Sequence, residues 1–197
     1  MKLALFSDIH IPGSFSVRNF FDKRIFGFAN SRFFRARYRM ECIPVAVSCI
    51  LEEKPDLIVA TSMGAMYAEQ LTGIPRILVN PSFHMARLLT FRGMGKREFR
   101  NKRLDGAKDF RVDKQMIQEF TQVEKSSFSN VDATEKTLVW GLFGMQDKLV
   151  NCQEDFRKHY GSSHMRLFDG EHYLNDKVLS REVIPLIETL LEINNKK

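Results

Sequence analysis

Three residues in this chain have types and positions that together suggest nucleophilic chemistry: Ser62, Asp147 and His172. Ser62 lies in Pro55-Asp56-Leu57-Ile58-Val59-Ala60-Thr61-Ser62-Met63-Gly64-Ala65, where an apolar run ends in a serine flanked by small residues and a helix-forming run begins at once. A serine on a tight strand-to-helix turn exposes its hydroxyl above a sheet. That hydroxyl is a weak nucleophile until a histidine takes its proton and a carboxylate holds the histidine in the right tautomer. Asp147, in Gly144-Met145-Gln146-Asp147, and His172, in Asp169-Gly170-Glu171-His172, follow in the chain order such sites use. The backbone N–H of Met63, directly after the serine, is the expected first donor to an oxyanion. Each residue also has a plainer role: Ser62 as a helix N-cap, Asp147 as a turn or cap residue, His172 as a surface histidine like His159 or His164. Their joint order and placement favour a triad. Ala60 stands where a G-x-S-x-G turn has its first glycine, and alanine is small enough for that turn.

These residues need a sheet to position them. Strands are expected at Lys2–Ser7, Leu57–Thr61, Arg76–Asn80, Thr137–Leu142 and Met165–Phe168. Helices are expected at Val17–Asn30, Arg39–Glu53, Met63–Leu71, Lys114–Lys125, Glu154–Tyr160 and Val178–Ile193. Alternating strands and helices imply one α/β domain, a mainly parallel sheet covered on both faces. Ser62, Asp147 and His172 each follow a strand, so all three belong on the carboxyl-end rim. The stretch Ser82–Lys136 is too long for a simple crossover, and we expect it to form a cap over that rim.

Composition narrows the class. The 197 residues are 44% hydrophobic and 27% charged, ordinary values for one globular domain with a substantial core. No apolar run reaches the roughly 18 residues that span a bilayer. The first ten residues read as a strand broken by Asp8 rather than as a signal peptide. Cys42, Cys49 and Cys152 form neither a disulfide framework nor a zinc motif, which suggests reduced thiols and a cytoplasmic location. The net charge of +6 concentrates in residues 18–39 and 87–114. Without a nucleic-acid motif, these are expected to be solvated basic surfaces that favour a small anionic substrate over nucleic acid.

From about Lys54 onward the chain resembles the YqiA/YcfP-like esterases, small members of the α/β-hydrolase superfamily. The resemblance rests on the Pro55–Gly64 run, Ile77-Leu78-Val79-Asn80-Pro81-Ser82-Phe83-His84-Met85, the run Leu142–Asn151 and the run Phe168–Asp176. It implies a three-layer α/β-hydrolase-like fold. It also implies metal- and cofactor-free hydrolysis of a carboxylic ester or thioester through Ser62, Asp147 and His172.

The first 55 or so residues resemble instead the start of a calcineurin-type metallophosphoesterase, through Leu3-Ala4-Leu5-Phe6-Ser7-Asp8-Ile9-His10. That likeness offers Asp8 and His10 as metal ligands, but the Gly-Asp, Gly-Asn-His and Gly-His-x-His strings that complete such a two-metal site do not occur. The esterases carry a His-Gly turn after the first strand that supplies a second oxyanion donor. Here the turn contains Asp8 and Pro12. Loss of one such donor typically costs about 100- to 1,000-fold in rate, so weak activity is expected. The alternatives to a serine hydrolase are a catalytically weak scaffold binding an anionic partner, or a metallophosphoesterase relative with an incomplete site.

Overall fold

The computed structural model describes residues 3–7, 34–35, 52, 54–98 and 108–194, giving only the backbone of 3–7, 34–35 and 191–194. Asp8, His10, Pro12 and the helices expected over 17–30 and 39–53, apart from Glu52, lie outside the described residues. So does most of the basic stretch 18–39.

The strands are β1 (Leu3–Ser7), β2 (Phe34–Arg35), β3 (Leu57–Thr61), β4 (Arg76–Val79), β5 (Gly95–Glu98), β6 (Asp109–Val112), β7 (Val139–Gly144) and β8 (Met165–Phe168). The helices are α1 (Ser62–Glu69), α2 (Met85–Arg92), α3 (Lys114–Ser126), α4 (Ala133–Leu138), α5 (Gln153–Tyr160), α6 (Asp176–Val178) and α7 (Ile184–Asn194). Six strands form one parallel sheet in the order β2-β1-β3-β4-β7-β8. β5 and β6 make a separate antiparallel pair.

Buried strands read as continuous apolar runs because both faces are covered. Every residue of β3 and β4 is buried, and alternate side chains serve different cores. Ile58, Ala60, Leu78, Val139 and Phe143 pack with Ala65, Met66 and Ala68 of α1, Phe120 of α3, and Phe156 and Tyr160 of α5. Leu57, Val59, Ile77, Val79 and Leu142 pack on the other face with Val183, Ile184, Leu186 and Ile187. That second layer carries a π-type turn at Leu179–Val183, just ahead of Pro185. Proline has no N–H to give to the preceding turn, and a widened turn accommodates it.

Helix ends shift by one or two residues, and two strands differ from expectation for a visible reason. Thr137 and Leu138 close α4, whose first turn is capped by Asp132 accepting from the Glu135 N–H, so β7 starts at Val139 and runs on to Gly144. β4 stops at Val79 because Asn80 turns into the left-handed region, φ 45°. The excursion from Ser82 to Lys136 holds α2, β5, β6, α3 and the start of α4. Its returning part runs beside α1: Gln70 Nε2 donates to the Val123 carbonyl, and the Phe128 N–H donates to Glu69. Among the described residues, no helix is long and apolar enough to cross a membrane.

Candidate active site

Parallel pairing brings the ends of β3, β4, β7 and β8 to one rim, with Thr61 beside Val79, Val79 beside Leu142 and Gly144 beside Phe168. Ser62, at the end of β3, has φ 53°. A left-handed conformation at a residue other than glycine costs about 1–3 kcal/mol and persists only where surrounding structure enforces it. Here the Ser82 N–H donates to the Ser62 carbonyl at 3.1 Å, and helix α1 starts immediately behind. The hydrogen bonds of the serine hydroxyl run away from α1, to side chains of other segments.

It reaches His172. Ser62 Oγ lies 2.9 Å from His172 Nε2, and His172 Nδ1 lies 2.7 Å from Asp147 Oδ2. Ser62 and His172 are buried, as is the Asp147 side chain. With Nδ1–H donating to the carboxylate, Nε2 is left as the acceptor for the serine hydroxyl proton. The plainer role for Asp147 is also present. Its Oδ1 accepts from the N–H groups of Leu149 (2.8 Å) and Val150 (3.1 Å). One oxygen thus shapes the turn while the other faces the histidine. Met63 lies in the first turn of α1, where backbone N–H groups have no intrahelical acceptor.

Two residues at this rim had no assigned role in the sequence. Asn80 ties three segments together: Nδ2 donates to the carbonyls of Glu171 (3.0 Å) and His172 (2.9 Å), and Oδ1 accepts from the Gly144 N–H (2.7 Å). Its only sequence signal is an Asn-Pro pair closing a strand, since asparagine tolerates the left-handed turn. Ser82 places its Oγ 3.2 Å from Ser62 Oγ. If the Ser62 proton points at His172, the Ser82 hydroxyl is the donor of that second bond. Gly144 is fixed by close approach: a Cβ there would stand 2.5 Å from the Gly170 carbonyl oxygen and 2.7 Å from that of Glu171.

A second group of side chains sits nearby, where the turn after β4 meets the start of α5. His84 Nε2 is 2.9 Å from Asp155 Oδ2, and a ligating atom from each of His84, Cys152 and Asp155 lies within 4.8 Å of the others. Burial pushes the Cys152 thiol up to about 11, against the backbone hydrogen bonds of Phe83 and His84. The basic side chains Arg87, Arg92, Lys96, Arg97, Lys108, Arg111 and Lys114 are exposed.

No protein-family model matches the chain, and no curated protein matches it in sequence. Solved structures do. Est1E from Butyrivibrio proteoclasticus aligns over 97% of this chain and 87% of its own, with a TM-score of 0.60 at 16% identity. Alpha/beta hydrolase domain-containing protein 10 from mouse aligns over 97% and 89%, with 0.56 at 15%. The esterase domain of a Rhodothermus marinus protein aligns over 88% and 79%, with 0.53 at 14%. With a parallel six-stranded sheet and helices packed on both faces, the chain has the α/β-hydrolase fold.

Proposed function

We propose that this protein is a serine hydrolase that cleaves a carboxylic ester or thioester through an acyl-enzyme on Ser62. The observation that carries this is the continuous relay from Ser62 Oγ through His172 to Asp147, at 2.9 and 2.7 Å. The left-handed backbone of Ser62 and the esterase names among the structural neighbours support it. So does the resemblance of residues 54–197 to the YqiA/YcfP-like esterases.

In this mechanism Ser62 Oγ attacks the acyl carbon as its proton passes to His172 Nε2. Asp147 stabilises the imidazolium that forms and holds its Nδ1–H. The oxyanion takes the N–H of Met63. As the tetrahedral intermediate collapses, the bond to the alcohol or thiol breaks, and His172 returns the proton to that leaving group. Water then enters with His172 as base and releases the acid and free Ser62. Asn80 is a positioning residue here, because it holds the His172 backbone against β4 and β7. No step needs a metal or cofactor.

The excursion 82–136 is assigned as the cap: it starts at Ser82, whose hydroxyl already touches that of Ser62. Its exposed arginines and lysines favour an anionic ester, with added salt weakening productive binding. The test is labelling by a fluorophosphonate probe together with turnover of short-chain aryl esters and acyl thioesters. Labelling that vanishes in Ser62→Ala upholds the mechanism. A folded wild type that neither labels nor turns over either substrate class refutes it.

A further inference from the structure

We propose that His84, Cys152 and Asp155 form a site for a borderline-soft divalent cation, best matched by zinc, that clips the turn after β4 to the start of α5.

The three donors come from two element starts. His84 immediately precedes α2, Cys152 immediately precedes α5, and Asp155 lies in the first turn of α5. Cys152 and Asp155 are three residues apart, which brings them to one side of that first turn. Their ligating atoms already converge, all within 4.8 Å, with imidazole and carboxylate 2.9 Å apart. Tetrahedral zinc with bonds of about 2.0–2.3 Å sets its donors about 3.3–3.7 Å apart. Small side-chain rotations therefore suffice.

Chemistry favours the same ion. One imidazole, one thiol and one carboxylate make a mixed N/S/O set that suits zinc, whereas calcium and magnesium take oxygen donors. Cys152 is buried beneath the pair, while the His84 and Asp155 side chains are 49% and 37% exposed. An ion can thus enter from solvent, with water as its fourth ligand. The cysteine makes no capping bond within its own helix. Backbone hydrogen bonds from Phe83 and His84 reach its sulfur, as outer-shell donors do in metal sites. The positive end of the α5 dipole opposes a cation there, and Glu154 and Asp155 in its first turn offset it.

The clip would join the loop that carries Asn80 and Ser82 to the loop that carries Asp147. It contributes no group to the Ser62 relay, and its test does not depend on hydrolysis. Metal-free protein is titrated with cobalt(II), then with zinc. We expect one equivalent to give a thiolate-to-cobalt charge-transfer band that zinc abolishes. Cys152→Ser should remove the band, while a Cys42→Ser/Cys49→Ser variant keeps it. His84→Ala and Asp155→Asn, both at half-exposed positions, should each weaken zinc binding at least about tenfold. Excess zinc should raise the wild-type Tm by about 5 °C, a shift that His84→Ala lacks. The assignment is overturned if the wild type shows no band, or if the band survives in a folded Cys152→Ser variant. Unchanged zinc affinity in both His84→Ala and Asp155→Asn overturns it as well.

Discussion

The two ends of the β3–β4 pair each bury a cluster of polar side chains, and the clusters are built on opposite principles. At the amino-end rim Arg76, completely buried, is paired with Glu135, which also accepts from the Gly73 N–H. Beside them Glu69 accepts from the Tyr160 hydroxyl at 2.7 Å and from the Phe128 N–H. Arg76 there faces the opposite charge of Glu135, and of the Arg76 donors only Nε lacks a partner. At the carboxyl-end rim a hydrogen bond joins Ser62 to His172, and both Ser62 and Asn80 have left-handed backbones. The first cluster resists change because losing either Arg76 or Glu135 strands a buried charge. The second holds two residues in a strained backbone conformation, which fits the role proposed for it. Burial alone therefore does not separate the two clusters; their charge pairing and backbone conformations do.

The largest expected contrast is kinetic. Ser62→Ala should lower kcat for ester hydrolysis by a factor on the order of 10⁴ or more while leaving circular dichroism unchanged. A variant that keeps a tenth of the wild-type rate would place the chemistry elsewhere.

Next in size is the opposite rim. Glu135→Ala leaves Arg76 buried without its counter-ion and should cost about 3–5 kcal/mol in urea denaturation. The rate per folded molecule should be unaltered. A loss below about 1 kcal/mol would mean that the pair is not a structural lock.

A smaller effect is expected at Asn80, which links the His172 loop to the end of β7. Asn80→Ala should reduce kcat about 10- to 100-fold, with less change in KM, because the His172 loop loses two hydrogen bonds and the end of β7 a third. If KM alone rises, Asn80 touches substrate rather than positioning the histidine.

The smallest is a pH dependence at Glu69. Burial holds its carboxyl above the usual range, against the hydrogen bonds from Tyr160 and Phe128 and the nearby Arg76 charge. Folding therefore favours its protonated form. The stability this adds is fully present below the ordinary carboxylate value of about 4.3 and is lost as pH rises through the higher folded value. Urea denaturation across that window should show the decline in wild type and a flatter profile in Glu69→Gln. Identical slopes would remove Glu69 from the titration.

The residues of the proposed triad were more legible than the structural ones for a physical reason. Ser62, Asp147 and His172 each follow a short apolar run, and a parallel sheet aligns the ends of such runs on one rim. That rule needs only local pattern. Arg76 read as one more basic residue at the head of a strand, and nothing local links it to Glu135 fifty-nine positions later. Helix α4 did leave a trace, Asp132-Ala133-Thr134-Glu135, a cap followed three residues on by an acid. The β5–β6 pair left less, because most of its residues are polar and exposed.

What the sequence determined by itself was therefore the period of its apolar residues: buried strands, amphipathic helices, and a serine, an aspartate and a histidine at strand ends. Only the tertiary structure decided which polar groups meet. The Asn80 side chain lies 91 and 92 positions from the carbonyls it holds, Ser82 lies twenty from the hydroxyl it touches, and His84 lies 71 from Asp155. Hydrogen bonds act over about 3 Å and carry no trace in the chain between their partners. Strand order and the packing of α1, α3 and α5 against one face bring such groups within reach.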